Sequence, residues 1–399
     1  MARYRKLETS ARLKKLMSRY YAVTQYGPRL GLKTAWITSG APVELLVALG
    51  VVPQYPENYG ALCGARKVAP ELCQAAEARG YSPDLCSYAR NDLGSLFAPD
   101  RAPLGGLARP TVLVACNNIC GTVTKWWEHL AHHLKLPLFL LDTPFVGDDQ
   151  PQHLVDYAAA QVQELMEFLE RHTGRRYRPA RIERVARRAA EAIKLWNEVL
   201  DLCTARPSPL NAADRFLAMA PVVTLRGTPF ALGYYRALKR EVVRRVERGQ
   251  GAVEGERRRL LWDNIAIWYD IYGLFNRFAE QGASFPVDTY TSAWTGWRAG
   301  GDVAHTVARI YSDIYLNRGM ESKLKIMSSM IRRYELDGFV IHSNRSCKPY
   351  SLGQLSIKDE LTRRTGKPGL MIEADMVDSR HYDTARVSSQ VSTFLEVLA

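Results

Sequence analysis

Residues 109–144 read RPTVLVACNNICGTVTKWWEHLAHHLKLPLFLLDTP. The run 111–115 is apolar after its opening Thr111, as expected of a strand buried on both faces. Residues 121–134 follow an amphipathic helical pattern, and 136–141 form a second apolar run. Strand, helix and strand in that order require a crossover connection, which pairs the strands in parallel. Two cysteines mark the hand-over: Cys116 closes the first strand and Cys120 lies just before the helix.

Toward the N-terminus the same grammar continues. Residues 34–38 form a short strand, Ser39-Gly40-Ala41-Pro42 a turn, and a helix runs from about Pro42 to Gly50. Pro in the first helical turn and Gly just past the end mark its limits. Residues 51–56 return as a strand. A helix then reaches Gly80, a turn follows at Ser82-Pro83, and the next helix carries Cys86 near its start. Residues 1–26 are basic and helical in pattern.

Toward the C-terminus, residues 180–280 are mostly helical, broken at TARPSPLN and LRGTPF. LLWDNIAIW and GASFPVDTYTS belong to a second α/β unit. Its clearest part is a strand over 338–342, a loop carrying Cys347, a helix to Thr365 and the strand GLMIEAD. The expected fold is α/β, with two parallel-sheet lobes of Rossmann or flavodoxin-like kind. The divisions are an N-terminal helical segment (1–30), a first α/β domain (31–175), a helical connecting block (176–260) and a second α/β domain (261–399). In open parallel sheets the ligand crevice lies beyond the carboxyl ends of the strands. Cys120 and Cys347 each follow such an end, and Cys86 lies at a turn-to-helix junction. Helix N-termini there favour thiolate.

Composition narrows the class. The chain has 399 residues, 47% apolar and 24% charged, which fits a globular protein of two or three domains. No apolar run is long enough to span a bilayer, and the basic start lacks the apolar core of a signal peptide, so the expected location is cytoplasmic. The net charge of +13 is carried mostly by Arg on helices. It reads either as solvated helical faces or as a surface for an anionic small molecule or protein. No nucleic-acid module is recognisable. The seven cysteines contain no CxxC pair, which argues against a compact zinc knuckle. Disulfides are not expected in a reducing compartment.

Several long segments carry a resemblance. ITSGAPVELLVALGVVPQYPEN, LCQAAEARGYSPDLCSYARNDLG, NNICGTVTKWWE, HSNRSCKPYSLGQ and IEADMVD occur in this order. Together they resemble the 2-hydroxyacyl-CoA dehydratase family, which includes the benzoyl-CoA reductase subunits. The resemblance runs from about residue 30 to the end and is strongest over 34–145 and 336–378. It implies a 4Fe-4S cluster in the crevice between the lobes, held by Cys86, Cys120 and Cys347. Thiolates are the usual protein ligands of such clusters, and three of them leave one iron for a non-protein ligand. The reading without the resemblance is three buried structural cysteines. Cys116 is expected in the core or just behind the site, and Cys63, Cys73 and Cys203 are structural.

The resemblance also implies that Ser39 and Glu57 lie near the open iron, hydrogen bonding to substrate and moving a proton. Without it, Ser39 is a helix cap and Glu57 a solvated loop residue. Asn58, Asn118 and Lys125 are weaker supporting candidates, and Trp126 and Trp127 are packing. The implied reaction eliminates water from a 2-hydroxyacyl-CoA to give a 2-enoyl-CoA through a ketyl radical. The electron comes from an ATP-hydrolysing iron-sulfur activator. Partners would be that activator, a homologous second subunit in a heterodimer, and a CoA thioester, with no nucleic acid or membrane. The alternatives are a subunit of a dearomatising benzoyl-CoA reductase and a non-catalytic electron-relay subunit.

Overall fold

The computed structural model describes residues 4–294 and 302–398. Within them the strands form two four-stranded, all-parallel sheets. The first contains β1 (Thr34–Ile37), β2 (Val52–Gln54), β3 (Val112–Cys116) and β4 (Leu138–Leu141) in the order β2-β1-β3-β4. The second contains β5 (Arg258–Asp263), β6 (Ala283–Asp288), β7 (Gly338–Asn344) and β8 (Gly369–Ala374) in the order β6-β5-β7-β8. The two sheets follow one topology, and β5 begins at Arg258.

Burial differs among the strands. Every residue of central strands β1 and β3 is buried. Leu138, Phe139 and Leu140 of β4 are only half-buried, although their apolar run reads as a fully covered strand. β4 lies at an edge with one strand neighbour, but edge position alone does not expose a strand: edge strand β6 is buried throughout, covered by helices Ala212–Ala218 and Ile271–Ala279.

In both sheets the chain leaves the first strand toward one edge and the third toward the other. The loops beyond these adjacent strands therefore diverge and open a crevice. In the first sheet these loops carry Ser39 and Cys120, and in the second Asn264 and Cys347. The Ser39 and Cys120 loops approach closely. A Cβ added at Gly40 would run into the side chains of Asn118 and Ile119, so only glycine fits. Asn118 clamps the junction, donating to the carbonyls of Gly40 (2.8 Å) and Tyr311 (2.6 Å).

Helices Gln152–Thr173, Pro179–Leu202 and Pro229–Glu247 join the lobes. Their Val155, Trp196 and Tyr235 share one apolar cluster with Ile37 of β1 and Phe339 of β7. One core thus runs through both lobes. Fully buried Arg215 ties the helical block to β6, pairing with Asp288 at 2.7 Å and donating to the Phe285 carbonyl (2.6 Å). Asp288 in turn accepts from the Thr291 backbone (2.6 Å) and hydroxyl (2.7 Å), which fixes the loop carrying Tyr290. Helix Ser10–Tyr26 is anchored at both ends: Glu241 accepts from the amides of Glu8 (2.7 Å) and Thr9 (2.8 Å), and Tyr20 donates to the Pro53 carbonyl (2.9 Å). No helix among the described residues is long and apolar enough to cross a membrane.

Candidate functional site

Each of the three singled-out cysteines occupies the residue immediately before a helix. Cys86 precedes Ser87–Phe97, Cys120 precedes Gly121–Leu134, and Cys347 precedes the short helix Lys348–Ser351. Close packing sets the Cys86 helix. A Cβ at Gly94 would collide with the Leu72 carbonyl of helix Ala69–Glu77, so the two helices touch backbone to backbone. A bond across the lobes, from the Ser87 amide to Ser346 Oγ (3.0 Å), brings the Cys86 and Cys347 loops together.

The three thiols line a single cavity between the lobes, together with Ser39 and Glu57. Burial pushes Cys86 up to about 12 and raises Cys120; it holds Cys347 well above the ordinary thiol range. The proximity of the three sulfurs adds to this, since Cys120 raises Cys86, and both raise Cys347. Backbone amides work the other way: Tyr88 and Ala89 favour the Cys86 thiolate, Thr122 and Val123 that of Cys120, and Tyr350 that of Cys347. Burial wins over the amides. Three thiolates in such a space need a cationic centre to neutralise them, as an iron-sulfur cluster supplies. Among the described residues, no group of three or more His, Cys, Asp or Glu converges as the ligand set of a metal ion. In a cubane cluster each thiolate binds a different iron, so convergence on one point is not required. Three thiols around one cavity, each facing helix amides, fit such a cluster.

The remaining cysteines lie elsewhere. Cys116 is buried at the end of β3, 3.8 Å from Thr143 Oγ1. Cys63, Cys73 and Cys203 are buried too, and none of the four borders the cavity.

Ser39 and Glu57 are in direct contact. The Ser39 amide donates to Glu57 Oε2 at 2.7 Å. Glu57 lies in the first turn of helix Pro56–Ala65 and is only 8% exposed. Burial raises its carboxyl to about 7, against the pull of the Ser39 hydrogen bonds. A carboxyl poised there can give or take a proton near neutral pH. Asn118 supports the Ser39 loop, as described above. Lys125 is 79% exposed and paired with Glu128 at 2.8 Å, and Asn58 is outside the cavity wall. Trp126 lines the cavity and donates to Asp92 (2.9 Å), whereas Trp127 is fully buried in the core.

The helical block contributes a group without a motif to reveal it. Arg226 reaches the cavity wall, with Nε 2.9 Å from Glu44 Oε1 but without hydrogen-bond alignment. It also donates to Tyr311, whose hydroxyl donates to Glu44, and its guanidinium lies over the Trp294 ring at 5.5 Å. Tyr290 and Tyr350 likewise line the cavity, and their hydroxyls have no hydrogen-bond partner among the described residues. Only the Gly-Pro break LRGTPF marks the Arg226 segment in the sequence.

A second, more open groove adjoins the cavity, sharing Cys120, Thr122, Leu316, Pro349 and Tyr350. Its rim carries Arg318, Lys323, Lys348 and the exposed ring of Phe145. Arg318 is paired with Asp313 (2.6 Å). Lys323 and Lys348 make no ion pair among the described residues, and Lys323 lies over the Tyr315 ring at 5.6 Å. The groove therefore leads from a cationic surface to Cys120 and the cavity behind it.

Comparison with known proteins gives a consistent family. Residues 38–398 match the family model described as 2-hydroxyglutaryl-CoA dehydratase, D-component. The chain is 31% identical to the (R)-2-hydroxyisocaproyl-CoA dehydratase alpha subunit of Clostridioides difficile over 396 residues, covering 98% of this chain and 97% of that one. It is 28% identical to the lactoyl-CoA dehydratase alpha subunit of Anaerotignum propionicum, covering 92% and 91%. It is also 28% identical to a benzoyl-CoA reductase subunit of Thauera aromatica, covering 89% and 86%.

Proposed function

The chain belongs to the family of the 2-hydroxyglutaryl-CoA dehydratase D-component, and on that premise we propose that it is the iron-sulfur subunit of a 2-hydroxyacyl-CoA dehydratase. The observation that carries this reading is one cavity lined by Cys86, Cys120, Cys347 and the Ser39–Glu57 pair. Cys86, Cys120 and Cys347 would hold the cluster, one thiolate each. When bound, a 4Fe-4S cluster supplies one electron at a time and, with three protein thiolates, one iron free to take a further ligand.

This chain's own residues do the rest. Apolar walls exclude water, which strengthens every polar contact to the reacting group. Glu57 exchanges a proton with the substrate, and the Ser39 amide holds its carboxyl in place. The Ser39 hydroxyl is available to hydrogen bond to the substrate. The free hydroxyls of Tyr290 and Tyr350 orient its polar atoms. Lys323 and Lys348 on the outer groove attract CoA phosphates while the thioester end enters the cavity. The alpha-subunit names of the relatives support a second subunit. We propose that this subunit is homologous and that an ATP-hydrolysing iron-sulfur activator donates the electron.

A dearomatising reductase is the second reading, favoured by the likeness to the benzoyl-CoA reductase of Thauera aromatica. The dehydratase reading takes precedence because the family model is that of a dehydratase component and the dehydratase relative from Clostridioides difficile is 31% identical over 98% of the chain, against 28% over 89% for the reductase subunit. A proton-transferring Glu57 suits either reading. The deciding experiment is anaerobic co-expression with the neighbouring subunit and activator, then turnover of a panel of 2-hydroxyacyl-CoA thioesters and benzoyl-CoA. Formation of 2-enoyl-CoA supports the first reading. Dearomatisation of benzoyl-CoA without dehydration overturns it.

A further inference from the structure

The charges around the thiol cavity restrict what kind of acyl chain can enter it. Among the described residues lining it, only Glu57 and Arg226 carry a charge. Arg226 is no free cation: Glu44 neutralises it at 2.9 Å, and Tyr311 and Trp294 take up its edge and face. Apart from the thiols and the hydroxyls of Ser39, Thr122 and the tyrosines, the rest of the described wall is apolar or aromatic. Val123 and Trp126 come from the Cys120 helix, Ile265 follows β5, Ile310 belongs to helix Val303–Ser312, and Ile314 and Trp294 also line it.

We propose that this cavity selects a CoA thioester whose acyl side chain is uncharged and larger than methyl, branched alkyl or aryl, and rejects a chain ending in a second carboxylate. The inference rests on the CoA-thioester reading above and adds the identity of the acyl group. A terminal carboxylate would lose its water, gain no unpaired cation among the described lining residues and share the cavity with the carboxyl of Glu57. An apolar chain gains from each group it buries, roughly fourfold in affinity per methylene. An aryl ring can in addition pack edge-to-face against Tyr290, Trp294 or Tyr350.

Equilibrium binding tests this without turnover. The anaerobically purified complex is titrated with free CoA and with propanoyl-, 4-methylpentanoyl-, 3-phenylpropanoyl- and glutaryl-CoA, none of which has a 2-hydroxyl to eliminate. Quenching of tryptophan fluorescence reports occupancy, since Trp126 and Trp294 line the cavity. We expect 4-methylpentanoyl- and 3-phenylpropanoyl-CoA to bind at least roughly tenfold more tightly than propanoyl-CoA. Glutaryl-CoA should bind about 100-fold more weakly than 3-phenylpropanoyl-CoA. Glutaryl-CoA binding as tightly as 3-phenylpropanoyl-CoA overturns the proposal, as does equal affinity for all four thioesters. If neither free CoA nor any thioester binds, the CoA-thioester reading itself fails, which is a separate result. Ile314→Lys places a cation in the wall and should shift the preference toward glutaryl-CoA. An unchanged ratio in the folded variant would place the acyl chain elsewhere and also overturn the assignment. Should that variant not fold, the wild-type panel decides alone.

Discussion

Replacing Glu57 with Gln should make the protein more stable above neutral pH and nearly inactive. Glu57 is buried, and its carboxylate accepts the Ser39 amide at 2.7 Å. Burial moves its carboxyl from the ordinary value near 4.5 to about 7. That makes the ionised form about 3 kcal/mol less favourable in place than in the unfolded chain. The sign follows from proton counts. Between about 4.5 and 7 the folded chain keeps a proton that the unfolded chain has lost, so stability falls as pH rises through this window. The stabilisation is complete below the lower value and lost above the upper one. Glutamine is nearly isosteric, keeps an oxygen for the Ser39 amide and never ionises. The variant should therefore match the wild type near pH 4.5 and exceed it by about 1–3 kcal/mol at pH 8. Turnover should fall by roughly 100-fold to 10,000-fold, as is usual when a positioned proton-transfer group is removed. Thermal unfolding at several pH values, paired with turnover on the same samples, measures both. Unchanged turnover would remove Glu57 from the chemistry. An unchanged slope of stability against pH would show that its carboxyl is not held protonated.

Further outcomes follow from the same geometry. Ser39→Ala keeps the amide that holds Glu57 but removes the hydroxyl, so iron content should persist while turnover falls about 100-fold. Full activity would remove the Ser39 hydroxyl from the chemistry, and a capping role would not account for it, since Pro42 and not Ser39 precedes helix Val43–Leu49. The double substitution Lys323→Gln and Lys348→Gln should raise KM for CoA thioesters about tenfold or more, flatten its dependence on salt and leave kcat nearly unchanged. Unaltered KM would place the phosphates elsewhere. Gly94→Ala forces apart the backbones of helices Ala69–Glu77 and Ser87–Phe97, and should cost about 1–3 kcal/mol of stability and lower iron occupancy at Cys86. Wild-type melting temperature and iron content would show that the helices can separate freely.

Much of the architecture is legible because its signals are local. The apolar runs at β1, β3 and β7 and the helices between them announce parallel pairing, and strand ends lead directly to Cys120 and Cys347. The position of Cys86 before a helix is equally local. Exposure is harder to read, because it depends on what the rest of the chain packs over a strand: β4 and β6 are both edge strands, yet β4 is half-buried and β6 buried throughout. Glu57 shows a related difficulty. Pro56 starts a helix whose first turn faces inward, so a residue that resembles a solvated loop Glu is buried against Ser39. Arg226 is legible least of all. It comes from the helical block and meets Glu44 and Tyr311 only through tertiary packing, with no spacing or motif to connect them.

Iron and acid-labile sulfide analysis of anaerobically purified cysteine variants tests the central claim most directly. The wild-type chain should carry about four iron and four sulfide. Alanine at Cys86, Cys120 or Cys347 should each deplete both severely, whereas alanine at Cys63, Cys73, Cys116 or Cys203 should leave them near the wild-type level. Full iron in the Cys120→Ala variant together with a bleached Cys116→Ala variant would contradict the assignment of the three cavity thiols as the ligands.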